Sequence, residues 1–401
     1  MILSILTISS SNKLLTNVNN LALKQAGWYL IGIILLIVVF IKTDFIYKHI
    51  EIFYIIGNIL LLGLLLFGPT INNSKCWFLI PGVGTFQPSE FMKIILIIML
   101  AKEIDKFNTK YKKATVKDEL FFLLRVGVIV LIPLILTFLE PDTGVVLIYL
   151  LITIFMLFTS GIRYGWFIAL FLLVISIVAF ILLMFFLNNE LFIDIFGTSF
   201  FLRIDRLIDW NNNSGYQLTN GIVSIGSGGL FGMGLNNTPI YFPEPQTDFI
   251  FAVFSNNFGF IGSVLFIIFI SIFDIKLINL GKKSKGGINF YIISGITGMI
   301  LYQQFQNIGM TFGLIPITGI TLPFISYGGS SLLSYMIIMG IILNISSKKR
   351  MTIAILRYKN NIFYYLYHIF SVLLKIRFNY CWKWIIIFFK SKSFSPFTFF
   401  W

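Results

Sequence analysis

Asp248 is the residue in this sequence best placed to do chemistry. It closes the stretch Pro243-Glu244-Pro245-Gln246-Thr247-Asp248 and precedes Phe249-Ile250-Phe251, so a carboxylate stands where a polar insert gives way to an apolar run. Apolar neighbours disfavour the ionised form and move a carboxyl pKa toward the range useful to a general base. An aspartate at a helix start can equally cap free backbone N–H groups, a duty that Thr247 could share. On sequence alone both readings stand. The two histidines, His49 and His368, fall in a predicted turn on the other side and in the C-terminal tail. Acid–base work near Asp248 therefore rests on carboxylates, the others on that side being Glu90, Glu140, Asp142, Glu190, Asp194, Asp205, Asp209 and Glu244.

Further polar patches fall on the same side. Trp77 follows Ser74-Lys75-Cys76, and Gln87-Pro88-Ser89-Glu90-Phe91-Met92-Lys93 opens an apolar run. Glu90 and Lys93 are three apart, share a helix face and can pair, as structure or as substrate contact. Asp142, in Glu140-Pro141-Asp142-Thr143-Gly144, is a turn residue or a ligand. Arg203 and Arg206 could hold a phosphate or pyrophosphate bidentately, or pair with Asp205 or lipid headgroups. The glycines of Ile225-Gly226-Ser227-Gly228-Gly229-Leu230-Phe231-Gly232-Met233-Gly234 let backbone approach a ligand or another helix closely. No Lys-Ser/Thr follows them and no βαβ pattern surrounds them, which argues against nucleotide binding. Pro316 to Ser331 is uncharged, holds two prolines and reads as a rigid lid or plug, with Gly328 and Gly329 suited to close helix packing.

The elements that carry these residues are membrane spans. The chain has 401 residues, 57% of them hydrophobic and 11% charged, with mean hydropathy +0.91. Runs of roughly 20 apolar residues are needed to span, and helices are the spanning form that fits such long runs. Spans are expected at 28–45, 50–67, 86–101, 120–139, 144–160, 164–187, 249–273, 288–312 and 322–345. A short apolar piece at 1–8 reads as the tail of a truncated first helix, or as a surface anchor. The expected fold is thus an all-α polytopic membrane protein of about ten transmembrane helices, with a long extracellular loop, 188–247, between helices 7 and 8. The net charge of +14 does not point to nucleic acid. Lys and Arg concentrate in alternate connections (Lys42, Lys48, Lys102 to Lys117, Arg163, Lys276 to Lys285), which places those connections and both termini in the cytoplasm. Residues 1–347 form the membrane domain. Residues 348–401, basic and aromatic, read as a cytoplasmic tail lying on anionic lipid. Cys76 and Cys381 fall on opposite sides, so no internal disulfide is expected, and no cleavable leader is visible.

Taken together, several motifs resemble the SEDS family (shape, elongation, division and sporulation), which includes RodA, FtsW and SpoVE. The matching pieces are Trp77, Gln87-Pro88-Ser89-Glu90 with Lys93, Pro141-Asp142-Thr143-Gly144, Gly215-Tyr216-Gln217, Ile225 to Gly229, Thr247-Asp248-Phe249-Ile250-Phe251, Asn307-Ile308-Gly309-Met310, and Pro323 to Ser331. They occur in the family's order, and the Asn307 motif leans toward its RodA members. The resemblance implies a peptidoglycan glycosyltransferase of the inner (cytoplasmic) membrane that polymerises lipid II on the outer face beside a class B penicillin-binding protein. It implies that Asp248 is catalytic. It implies substrate contacts at Trp77, Glu90, Lys93, Asp142, Arg203, Arg206, Gln217, Thr247 and Ser330, and allows a divalent cation, magnesium or manganese, at the pyrophosphate.

The departures matter as well. Asn256 and Asn257 stand where the family usually has two acidic residues, so metal dependence changes here if those acids hold a cation. Glu140 stands where the family usually has glutamine, and Cys76 where an arginine often precedes the tryptophan. Two other functions compete: a lipid II flippase, which would need polar groups along a path through the bilayer, and a catalytically silent scaffold for the penicillin-binding protein.

Overall fold

The protein is described by a computed structural model that covers residues 1–15, 20–70, 74–81, 84–198, 201, 215–284 and 286–354. Arg203, Arg206 and the tail from 355 onward lie outside the described residues.

The chain is helical almost throughout. In order it forms α1 (Ile2–Ser11), α2 (Leu21–Lys48), α3 (Ile50–Phe67), α4 (Pro88–Lys110), α5 (Val116–Leu139), α6 (Thr143–Ser160), α7 (Tyr164–Leu187), α8 (Asn189–Phe196), α9 (Tyr216–Ser227), α10 (Ile250–Lys283), α11 (Ile288–Thr311) and α12 (Gly329–Ala354). Among the described residues, seven helices are long and apolar enough to cross a membrane: α2, α3, α5, α6, α7, α10 and α12. The 23-residue α4 and 24-residue α11 are as long but more polar, and they form the interior of the bundle. The protein is a multi-pass membrane protein.

Hydrocarbon outside the bundle inverts the usual burial rule, since lipid is as apolar as leucine. Helix α7 shows this most plainly: only 6% of its most apolar window is covered by protein. Inside, α4 and α11 bury Leu96, Ile97, Ile292 and Ile296 against Ile148 and Tyr149 of α6. Small residues set the closest crossings. A β-carbon on Gly340 of α12 would stand 2.7 Å from Leu36 O of α2.

Several helix starts differ from the expected spans: α2 begins at Leu21 rather than 28 and α5 at Val116 rather than 120. Helix α4 begins at Pro88 rather than 86, because Gly84–Phe86 forms a strand, β2, antiparallel to β1 (Phe78–Ile80), with Phe78 opposite Phe86. The last helix begins at Gly329 rather than 322. Pro323 lacks an N–H and disfavours helix before it, and Phe324 adopts φ +64°. Segment 322–328 is therefore a buried turn that crosses the end of the bundle. The short α1 covers Ile2–Ser11. It turns Ser4, Thr7, Ser10 and Ser11 inward and leaves Ile2, Leu3 and Leu6 outside.

Candidate active site

Helix α10 begins at Ile250 after a turn over 245–249. Its N-cap is Phe249, with no side-chain cap bond, so Asp248 does not serve as the cap. Glu244 organises the approach instead. Its Oε2 accepts from Thr247 Oγ1 at 2.8 Å and Gln246 Nε2 at 3.1 Å, and its carbonyl accepts from Phe249 N at 3.2 Å. The Asp248 carboxylate is half-buried and accepts no hydrogen bond from the described residues. Burial, with smaller contributions from the charges of Glu244 and Asp142, pushes its pKa up to about 7. A carboxyl poised near neutrality can take a proton from a hydroxyl and give it up again.

The backbone beneath it is tied down. Three consecutive carbonyls each receive a hydrogen bond from elsewhere: Gln246 O from Tyr327 N at 2.8 Å, Thr247 O from Ser326 Oγ at 2.6 Å, and Asp248 O from Asn307 Nδ2 at 2.8 Å. The 322–328 turn is itself held. Tyr29 OH donates to Phe324 O at 2.6 Å, Ser4 Oγ to Ile325 O at 2.8 Å, and Gln25 Nε2 to Ser326 O at 3.3 Å.

A second cluster lies where α6 begins. Asp142 caps α6, its Oδ1 accepting from Val145 N at 3.2 Å, while its Oδ2 accepts from Gln87 Nε2 at 2.8 Å and Ser89 Oγ at 3.3 Å. Burial lifts its pKa above the ordinary value, against the pull of those hydrogen bonds. Ser330 Oγ accepts from Gln87 N at 2.9 Å and donates to Thr85 O at 3.3 Å, which joins the start of α12 to β2 and α4. Trp77 immediately precedes β1 at this end and is half-buried. One turn further into the bundle, Lys93 Nζ meets Glu90 Oε2 at 2.8 Å, with the lysine fully buried. Ser334 Oγ donates to the same oxygen at 3.3 Å. The Glu90–Lys93 pair is therefore packed among α4 and α12 side chains and lies beneath the surface cluster.

The irregular segment 318–320 joins the two clusters. A β-carbon on Gly144 of α6 would come to 2.6 Å from Thr318 O, and one on Gly319 would lie 3.6 Å from Asp248 Oδ2. Asp142, Ser330, Gln87, Thr247 and Asp248 thus gather at one end of the bundle. Gln217 serves the approach loop, donating to Pro243 O at 3.1 Å. The opposite end holds the pairs Lys102–Glu51 at 2.7 Å, Arg125–Glu103 at 3.3 Å and Arg163–Glu119 at 3.6 Å. Sequence reasoning assigned no role to Asn307 or Ser326, although both lie in motifs it singled out, and it passed over Gln25 and Tyr29. Nothing in their spacing marks a tertiary contact.

Glu140 is fully buried, and neither carboxyl oxygen has a partner among the described residues. Burial first, and the Asp142 charge second, push its pKa up to about 8, so the group is mostly protonated at neutral pH. A protonated acid matches a neutral amide in size and charge, which reconciles this residue with a position where glutamine is usual in the resembled family.

The glycine run packs against a helix. At Gly259 (φ +67°) α10 kinks, and Gly229 O and Leu230 O accept from Phe260 N at 2.9 Å and Ile261 N at 3.1 Å. A β-carbon on Gly259 would collide with Gly232 N and stand 2.6 Å from Leu230 O. Asn256 sits under this contact and donates to Ser227 Oγ at 2.8 Å and Ser224 O at 3.1 Å. Asn257 Oδ1 accepts from Ser10 Oγ at 3.0 Å. Both amides are interior packing groups in this chain. Among the described residues no three His, Cys, Asp or Glu side chains gather as metal ligands.

Residues 1–351 match the family profile for FtsW, RodA and SpoVE, described as "Cell cycle protein". The chain is 35% identical over 309 residues to "Stage V sporulation protein E" of Bacillus subtilis (strain 168), covering 74% of this chain and 77% of that protein. It is 33% identical over 297 residues to "Probable peptidoglycan glycosyltransferase FtsW" of Lactococcus lactis subsp. lactis (strain IL1403), covering 70% of each. Its fold is similar to a chain solved in a study titled "Structural coordination of polymerization and crosslinking by a peptidoglycan synthase complex", with TM-score 0.69 and 22% identity, covering 87% of this chain and 96% of that one.

Proposed function

Because the chain belongs to the FtsW, RodA and SpoVE family, we propose that it is a peptidoglycan glycosyltransferase acting in cell-wall synthesis. Its substrate is lipid II, as both donor and acceptor, at the outer face of the cytoplasmic membrane, with both termini in the cytoplasm. The observation that carries this reading is the half-buried Asp248 carboxyl, with a pKa of about 7, at the end of the bundle away from the Lys102–Glu51 and Arg163–Glu119 ion pairs.

Asp248 takes the proton from the sugar 4-hydroxyl of the acceptor. The oxygen then attacks the anomeric carbon of the donor glycan, the bond to the prenyl pyrophosphate breaks, and the configuration inverts. The leaving group carries its charge away on phosphate oxygens, which Arg203 and Arg206 neutralise. Thr247, Gln217, Asp142, Ser330 and Trp77 line or brace the approach. Glu90 and Lys93 support it from below. Among the described residues no three His, Cys, Asp or Glu side chains converge as a ready-made metal site. A magnesium or manganese ion bound with the substrate would supply charge neutralisation at the leaving pyrophosphate, a task that needs only one or two protein carboxylates. The likeness to a chain from a peptidoglycan synthase complex supports a class B penicillin-binding protein as partner.

The test is a gel assay for glycan polymer from purified protein and lipid II, with and without the cognate transpeptidase. Polymer from wild type and none from Asp248→Asn is expected. Polymer from Asp248→Asn at the wild-type rate refutes the base. Movement of labelled lipid II across reconstituted vesicles without polymer would favour a flippase instead.

A further inference from the structure

We propose that Asn307 and Ser326 are positioning residues that fix Asp248 by clamping the backbone on which it stands. This rests on the reading of Asp248 as the general base. The two residues come from different places, Asn307 from α11 and Ser326 from the turn before α12, and both are buried, at 0% and 5% exposure. Asn307 spends both amide hydrogens on the clamp, donating at 2.8 Å to Asp248 O and at 2.8 Å to Ile320 O. The orientation of that amide is forced, since the flipped form would set its oxygen against two carbonyls. Ser326 Oγ accepts from Leu322 N at 2.8 Å and donates to Thr247 O at 2.6 Å, so its hydroxyl closes the turn and grips the neighbouring segment at once. Each side chain ties the chain before α10 to the chain before α12.

The geometry explains why side-chain donors are needed here. The kink at Gly259 makes 250–258 a short piece of helix separate from the rest of α10. Residues from Ile250 to Asn257 are buried throughout, so this piece cannot shift without disturbing its packing. Asp248 lies just before it, where helical hydrogen bonds no longer hold the backbone. A base must stay within hydrogen-bond reach of the hydroxyl it serves, and a displacement of about 1 Å is enough to cost two orders of magnitude in rate.

The experiment uses the full-length protein with lipid II and the variants Asn307→Ala, Asn307→Asp, Ser326→Ala and Ser326→Thr. Removing either clamping side chain is expected to lower turnover about tenfold in Asn307→Ala and Ser326→Ala, with KM for lipid II within about twofold. Asn307→Asp, which sets an acceptor against two carbonyls, is expected to do worse, while Ser326→Thr keeps the hydroxyl and most of the rate. The acid limb of the pH–rate profile, which reports Asp248 beside Glu244 and Asp142, should move to lower pH as the loosened carboxyl gains water. Amide exchange at Tyr327 should quicken in the alanine variants and stay unchanged in the middle of α11. Wild-type turnover in Asn307→Ala, or a loss with a raised KM and an unmoved acid limb, overturns the proposal. If wild type makes no polymer yet exchange at Tyr327 responds as expected, the clamp stands and the glycosyltransferase reading falls. If wild type polymerises, Asp248→Asn does not, and both alanine variants behave as wild type, the clamp falls alone.

Discussion

Replacing Asp248 by Asn should abolish polymerisation and, at the same time, stabilise the protein at neutral and alkaline pH. Folding raises the carboxyl pKa from 3.8 to about 7. At roughly 1.36 kcal/mol per unit, the three-unit difference sets a ceiling of about 4 kcal/mol. The side chain is partly open to water, which reduces the expected value to ~2 kcal/mol. The sign follows from proton counts. Between pH 4 and pH 7, roughly, the folded state keeps the proton that the unfolded chain has lost, so rising pH favours unfolding across that window and has no further effect above it. Asparagine does not titrate. The stability gain of Asp248→Asn should therefore be near zero at about pH 4, grow through the window and level off above about pH 7. Thermal unfolding of both proteins in the same detergent at acid, neutral and alkaline pH would measure it, with an expected separation of a few degrees at the alkaline end. The polymerisation rate of wild type should fall on the acid side of about pH 7 as Asp248 becomes protonated. An inactive variant that is more stable than its parent excludes misfolding as the cause of inactivity. A variant with the same melting temperature as wild type at every pH, or a wild-type rate that stays flat well below pH 7, would refute the reasoning.

Other outcomes follow from the same structure. Glu140→Gln should keep polymerisation and gain stability as pH rises from about 4.5, levelling off above about 8, because it removes a carboxyl whose native pKa lies near 8; a destabilised Glu140→Gln would contradict this. Lys93→Ala should cost about 3–5 kcal/mol by stranding Glu90 in the interior, and the double variant Glu90→Gln with Lys93→Met should recover most of it, as read by thermal unfolding. Gly259→Ala should fail to fold or lose several degrees of stability. Gly229→Ala, where φ is +55° but nothing lies within 4 Å, should cost only about 1 kcal/mol. Equal behaviour of the two glycine variants would show that φ, rather than the contact with Gly232 and Leu230, is what matters at the kink.

The all-helical membrane class was written in the composition, because a bilayer demands long apolar segments whose backbone is satisfied internally. That demand is local in sequence. The candidate base was legible for a similar reason: a lone carboxylate at the edge of an apolar run is anomalous wherever the chain goes next. The Glu90–Lys93 pair could be read from its three-residue spacing. What the sequence left open concerned contacts between distant segments. It allowed the glycine run to face a ligand or a helix, and only packing against Gly259 decided for the helix. It allowed Asp248 to be a cap, and only the placement of the helix start at Ile250 removed that duty. It made 322–328 part of a span, whereas three of that segment's carbonyls turn out to be bonded by Ser4, Gln25 and Tyr29 from the other end of the chain. Hydrophobic pattern fixes which segments enter the bilayer. It says nothing about which polar side chains meet once they are there, because those meetings depend on hydrogen-bond geometry across some 300 residues of intervening chain.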